Sequence, residues 1–497
     1  MSLGWEMQMS EHTSRSGATV RIAAQIALNL LILLNFAVAQ RDPTTLEHEG
    51  RFTDAQCLLR ALIDTARGVS PAERTRWAFE IARLDRIRMD YSLTEDLLFA
   101  QLERSIKDVT RSEMKQWMAE GRFDVRTIDG RAMFLGVSRS NLFWRYPDIA
   151  ARRIHPPNDS AYEASVWKTC TAIKNAAAMS GKPYVLPKQF RVVMTVTVDS
   201  NAAPDGETIR AWLPVPRAFP HQHNFRLLTS SPSTISVAPA ESPIRSAYLE
   251  AKGVQGAPTV FRIEYEYTSE GVRFAVDPAQ VRQAALQDST VKLFVKEGPH
   301  VVFTEAMKKL SAEIAGKERN PLAKARMFYD WIAENIKYSY AREYSTIPDL
   351  GGYCLEKRYG DCGQETFLYI TLCRLNGIPA RWQSGWFTFP GGKTIHDWCE
   401  IYLLPYGWIP VDPYMGIFAM QYMKSLSREQ CVEVRDFYFG GLDQYRIAAN
   451  SDHCQTLDPL KRSFRSDNVD FQRGELEYGN TNIYFDKYSY ELTISEL

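Results

Sequence analysis

Three residues in this chain are of the types that perform acyl transfer. Cys362 lies in Tyr359-Gly-Asp-Cys-Gly-Gln-Glu-Thr-Phe367, His396 follows downstream, and Asp412 follows that. A thiol attacks a carbonyl carbon well when an imidazole takes its proton and a carboxylate orients the imidazole. The setting of Cys362 adds to this. Gly360-Asp361 before it and Gly363 after it mark a helix start, where backbone N–H groups are unpaired and the dipole is positive, which favours thiolate.

The elements around these residues must bring them together. The Cys362 helix is expected to run to about Asn376, with Gly377 as its left-handed stop and Pro379 blocking continuation. Its apolar residues Phe367, Leu368, Ile370, Leu372 and Leu375 point nearly all round the axis, the mark of a central, buried helix. Three strands are expected next: Ala380–Phe389, His396–Leu404 and Trp408–Val411, joined by turns at Gly391-Gly392 and Pro405-Tyr-Gly407. Adjacent antiparallel strands can place His396 beside Asp412. Asp397 is nearer in sequence but projects to the opposite face from His396, so Asp412 is assigned the orienting role. Cys373, further along the helix, reads as core. His396 and Cys399 are three apart on a strand and face opposite sides, so no metal site is expected there, and no cofactor is implied.

The rest of the chain supports a multidomain α+β protein. Its 497 residues carry 59 basic and 59 acidic side chains. That neutrality gives no electrostatic case for nucleic acid or an anionic membrane. Residues 41–183 read as an all-α domain, with apolar spacing from Phe52 to Ala66, a Gly68 stop and a Ser70-Pro71 restart. Further helices are expected at 93–109, 111–120 and 159–180. Period-two alternation at Phe190–Val198 and Val260–Tyr267 marks an antiparallel β-sandwich over 188–290. Helices return at 299, a Tyr-, Gly- and Pro-rich loop is expected at 341–360, and the α+β core spans 299–440. Residues 441–497 form an extension with strands near 483–485 and 490–494.

Residues 1–39 read as a signal peptide. Arg15 and Arg21 precede an apolar run, Ile22–Val38, that ends in Ala37-Val38-Ala39, a peptidase-type site. The expectation is export to the periplasm, cell surface or medium, with no membrane span in the mature chain. Eight cysteines are few for this length and do not make a disulfide scaffold.

Residues 320–440 resemble the transglutaminase-like superfamily, whose core is a papain-like α+β fold. The matching residues are Tyr338, Gly360-Asp-Cys362-Gly, Asn376-Gly-Ile-Pro-Ala-Arg381, Gly385, His396-Asp-Trp398-Cys-Glu-Ile-Tyr402, Gly407-Trp408 and Val411-Asp412-Pro413. The resemblance implies Cys362 as nucleophile, His396 as base then acid, Asp412 as its orienter, and the Cys362 N–H as one oxyanion donor. Tyr353 and Tyr359 are candidates for the second donor. Trp398 and Trp408 are candidates for lining the substrate groove, or for packing the strand pair. The chain lacks the calcium loop of the animal cross-linking enzymes. The implied function is acyl transfer at an amide through a thioester, on a protein, peptide or peptidoglycan-type substrate, with hydrolysis ahead of cross-linking. The superfamily also contains inactive scaffolds, which is the alternative reading.

Overall fold

The computed structural model describes residues 42–285 and 288–497. The expected signal segment lies outside the described residues. The chain divides into two compact units, the first ending at Leu98 with the addition of Phe123–Gly136, the second comprising Phe99–Arg122 and Val137–Leu497.

In the first unit, helices Pro43–His48, Phe52–Thr65 and Pro71–Asp90 enclose Leu46, Phe52, Leu59, Leu84 and Ile87. The Ser70 side chain accepts the Glu73 N–H and Pro71 occupies the first turn, so the third helix starts where its sequence dictates. A short hairpin, Val125–Ile128 with Arg131–Phe134, adds Ile128 to this core.

The stretch expected to form one all-α domain, 41–183, is thus not purely helical and contributes to both units. The reason is burial. Val166, Cys170 and Ile173 on helix Ser160–Ser180 pack with Phe387, Phe389, Met415 and Phe437, all within the second unit.

Helix Cys362–Leu375 is the centre of the second unit. Asp361 caps it and Gln364 reciprocates, the paired arrangement that satisfies two orphan N–H groups. Every residue from Gly363 to Arg374 is buried. Gly377 ends it with φ +68°. The helix packs on a four-stranded antiparallel sheet of order Gly407–Val411, Thr394–Leu403, Ala380–Phe387, Arg446–Asn450. Gly385 lets the outer strand approach: a Cβ there would sit 1.8 Å from the Ile447 carbonyl oxygen. Along Thr394–Leu403, Cys399 and Ile401 face the helix core while Trp398 faces Ala448 and Leu442 on the other side. The pleat therefore separates the faces of His396 and Asp397.

Apart from a short parallel pair, Lys337–Tyr338 with Tyr359–Gly360, two five-stranded antiparallel sheets carry the remaining strands. Tyr184–Val198 and Thr259–Arg273 anchor one, Thr208–Pro214 and Ser246–Lys252 the other, and their inner faces share one apolar cluster. The C-terminal residues belong to these sheets. Tyr488–Glu496 pairs with Tyr184–Val198, and Glu475–Tyr478 pairs with Thr208–Pro214.

The segment 341–360 differs from the expected loop. It holds helix Leu350–Lys357, capped by Asp349. Gly351 signals close packing rather than a turn, because its added Cβ would meet the Phe367 carbonyl oxygen at 3.1 Å.

Candidate active site

The pleat of Thr394–Leu403 sends two neighbouring side chains to different partners. His396 Nε2 lies 2.8 Å from Asp412 Oδ2, and both residues are buried. That bond commits Nε2 and leaves Nδ1 as the available ring nitrogen. Asp412 ends the Gly407–Val411 strand and caps Pro413–Ile417, its Oδ1 accepting the Met415 N–H at 3.0 Å. Arg446 Nη1 donates to Asp412 Oδ2 at 2.8 Å, and Arg446 also donates to Asp443 Oδ2. The guanidinium is sandwiched near the Phe387 and Trp398 rings.

These contacts set the protonation states. Burial raises the Asp412 carboxyl, but its interactions with His396 and the Arg446 guanidinium outweigh it and hold the group below the usual carboxylate range. Burial lowers His396, and the Asp412 attraction offsets that only in part, so the imidazole rests neutral. A neutral imidazole beside a firmly ionised carboxylate is a competent base.

Asp397 faces Cys362. Cys362 Sγ donates to Asp397 Oδ2 at 3.5 Å. Gln472 Nε2 donates to Asp397 Oδ1 at 2.7 Å. The Tyr344 hydroxyl lies 2.8 Å from Asp361 Oδ1 and 3.0 Å from Asp397 Oδ2, and it accepts the Gly363 N–H at 3.1 Å. One hydroxyl has one proton to give, so both contacts are satisfied only with a second proton on a carboxyl. Burial first, then the Asp361 charge, pushes Asp397 well above the usual carboxylate range. Burial likewise pushes Asp361 up to about 6.

The helix start does not leave Cys362 as a ready thiolate. Enclosure by the site raises the thiol well above its usual value, with Asp397 and Asp361 adding to the rise, although the residue keeps some exposure to solvent. The dipole at the first turn is outweighed by desolvation and two carboxyl groups. At rest Cys362 is a thiol and His396 a neutral imidazole. Glu365, one turn along, is fully buried with neither carboxyl oxygen bonded, and burial pushes it well above the usual range.

The first turn also bears on oxyanion stabilisation. Tyr344 takes the Gly363 N–H and Asp361 takes the Gln364 N–H. The Cys362 N–H is in neither bond. Tyr353 sits on helix Leu350–Lys357 with Arg342 and Lys357 over its ring. Tyr359 pairs with Lys337 in a short parallel bridge, under Arg145. Trp398 is 2% exposed and stacks on His396, while Trp408 lies at the far end of its strand between Phe294, Tyr402 and Arg381. An aromatic wall, Tyr338, Tyr414 and Phe418, leads away from His396.

Sequence reasoning did not single out Tyr344, Arg446 or Gln472. Tyr344 is one of several tyrosines in its segment, and the other two arrive from distant strands and loops. All eight cysteines carry free thiols. Among the described residues no group of three His, Cys, Asp or Glu side chains could hold a metal ion. Among them, too, no helix is long and apolar enough to cross a membrane.

Residues 308–413 match the transglutaminase-like superfamily model, and the chain carries a transglutaminase-like domain over that span. Two curated relatives are similar in part. An uncharacterized protein of Haemophilus influenzae is 26% identical over 197 residues, 34% of this chain and 52% of its own length. The uncharacterized protein YebA of Bacillus subtilis is 25% identical over 131 residues, 22% of this chain and 18% of its own length. The chain thus spans about half the length of the first and less of the second. Among solved structures, a candidate cysteine protease from Cytophaga hutchinsonii aligns with a TM-score of 0.41 at 16% identity, covering 63% of this chain and 92% of that one. The periplasmic domain of TgpA from Pseudomonas aeruginosa aligns with a TM-score of 0.27 at 14% identity, covering 52% of this chain and 95% of that one.

Proposed function

We propose that the chain is a cysteine-dependent acyl-transfer enzyme that cleaves or exchanges an amide through a thioester on Cys362. The observation that carries this is the buried His396–Asp412 pair, 2.8 Å apart, with Nδ1 unengaged and Asp412 held ionised by Arg446. As Cys362 Sγ bonds the amide carbonyl carbon, its proton passes to His396 Nδ1. Asp412 stabilises the imidazolium, and the Cys362 N–H receives the developing oxyanion. The C–N bond then breaks, and His396 returns the proton to the leaving amine. Water or a second amine, deprotonated by His396, attacks the thioester and restores the thiol. Water gives a peptidase or amidase, the reading we put first, and an amine gives a cross-linked product. The substrate class is a protein, peptide or peptidoglycan-type amide.

The domain scheme is part of the same proposal: signal peptide 1–39, a largely helical stretch 41–183 shared between the two compact units, β-sandwich 188–290, catalytic core 299–440 and a strand-bearing stretch 441–497 whose strands pair with those of the sandwich. The Ala37-Val38-Ala39 pattern supports export to the periplasm, cell surface or medium.

One observation favours a second reading, an inactive binding protein: the resting partner of Cys362 Sγ is Asp397, not His396. A thiol-directed acylating probe separates the two. The enzyme reading expects selective labelling of Cys362, abolished in Cys362→Ala and much slowed in His396→Gln. Equal labelling of wild type and His396→Gln would favour the inactive protein.

A further inference from the structure

A pocket of about 1080 Å³ opens beside the aromatic wall. Trp144, Tyr340, Phe418 and Tyr422 are among the residues that line it. Phe418 stacks on Tyr414, whose ring centroid is 5.3 Å from that of His396, so the pocket is one ring removed from the catalytic imidazole. Arg104, Arg139 and Arg153 line it as well.

Many arginines of this neutral chain are bonded to a carboxylate, Arg51, Arg83, Arg122, Arg326 and Arg446 among them. Others, such as Arg217 and Arg273, spend their N–H groups on several backbone carbonyls. Arg104, Arg139 and Arg153 make no ion pair among the described residues. Arg104 donates to the Ala100 carbonyl, Arg139 reaches Ser105 Oγ at 3.4 Å, and Arg153 lies over the Phe143 ring at 4.1 Å. Stacking of that kind holds a guanidinium in place while its N–H edges stay free for a ligand. Lys424 adds a fourth cation. Two carboxylates oppose them, Asp159 and Glu163, and Glu163 is turned to the backbone N–H groups of Lys424 and Ser425. Unneutralised cations converging on a cleft create a field that selects anions.

We infer that this pocket binds carboxylate groups of an acidic peptide segment and so presents an acidic acyl donor to Cys362. The alternation of guanidinium and aromatic walls suits a peptide, whose carboxylates and apolar side chains need both. The substrate assignment rests on the acyl-transfer reading, but the pocket can be tested without it.

The full-length Cys362→Ala protein is titrated, by fluorescence anisotropy, with a fluorescein-labelled peptide of alternating glutamate and alanine. Its glutamine counterpart is the control, and each is made with a free and an amidated C-terminus. The glutamate peptide is expected to bind about tenfold tighter than the glutamine one, and Arg139→Gln with Arg153→Gln to remove about that factor. High salt should weaken binding. A preference for the free-acid form identifies a terminal carboxylate as the ligand, and indifference to it identifies side-chain carboxylates. Equal binding of both peptides, or no effect of the arginine substitutions, overturns the proposal. Tighter competition by polyphosphate than by the glutamate peptide overturns it in favour of a phosphate site. Arg139 is exposed, so Arg139→Gln alone guards against misfolding. Normal probe labelling of Cys362 in the otherwise wild-type protein then shows that the acyl-transfer site is intact. If labelling fails while acidic peptides still bind, the acyl-transfer reading falls and the pocket stands.

Discussion

Cys362 Sγ lies 3.5 Å from Asp397 Oδ2, so the thiol rests on the strand residue next to His396. A carboxyl group here can only raise the thiol's pKa through its charge, and burial already raises it. Asparagine keeps an oxygen to accept from Gln472 and removes that charge. The expected outcome for Asp397→Asn is a fall of about one unit in the pH midpoint of Cys362 alkylation. Iodoacetamide labelling across pH measures it. An unchanged or raised midpoint would show that Asp397 is neutral throughout and acts by contact alone.

His396 and Asp412 should behave as one unit. Loss of either, as His396→Gln or Asp412→Asn, is expected to slow acyl transfer by about 10²–10⁴-fold. The pH dependence follows from the direction of the His396 shift. Its folded value lies below the ordinary 6.5, so the base stays neutral as pH falls to that point and protonates only further down. The acid limb of kcat/KM should therefore lie below 6.5, with activity lost as pH falls. An acid limb above it would contradict the neutral buried imidazole.

Arg446 joins Asp412 to Asp443 with all three side chains at 0–1% exposure. Removing the cation leaves two buried carboxylates facing each other. Arg446→Met is expected to cost about 3–5 kcal/mol in urea unfolding. Adding Asp443→Asn should recover part of that. Should Arg446→Met unfold at the wild-type urea midpoint, the arginine holds nothing together and the ionised state of Asp412 needs another cause.

The parts of the site that were legible in sequence are those marked by local punctuation. Gly360-Asp361, Gly377, Gly391-Gly392 and Pro405–Gly407 end or start elements, and they bracket helix Cys362–Leu375 and strands Thr394–Leu403 and Gly407–Val411. Strand alternation separated the faces of His396 and Asp397, but it could not say that the Asp397 face meets the thiol. Arg446 and Gln472 had no local signal, because Arg446 comes in on a strand whose partner, Ala380–Phe387, is set by long-range pairing. Helix Leu350–Lys357 was masked for the opposite reason. Its Gly351-Gly352 pair imitates a turn, whereas Gly351 is there for close packing on the Cys362 helix.

Gly363 offers the sharpest test of how tightly Cys362 is held. A Cβ added there would stand 2.1 Å from the Tyr344 hydroxyl oxygen and 2.5 Å from its Cζ. Tyr344 cannot retreat without losing its contacts to Asp361 and Asp397, so the first turn of the helix, with Cys362 on it, must move. A displacement of that order costs about 10²-fold in rate when the reacting atoms must sit in line. Gly363→Ala is therefore expected to lower kcat/KM by that factor while Cys362 remains present and the fold cooperative. Tyr344→Ala alone removes the hydroxyl bridge between the two carboxyl groups, yet in the Gly363→Ala background it also removes the clash. The double variant should then lose less than the sum of the two single losses, a coupling that the double-mutant cycle reads directly. Additive losses would mean that Tyr344 does not set the position of the Cys362 turn.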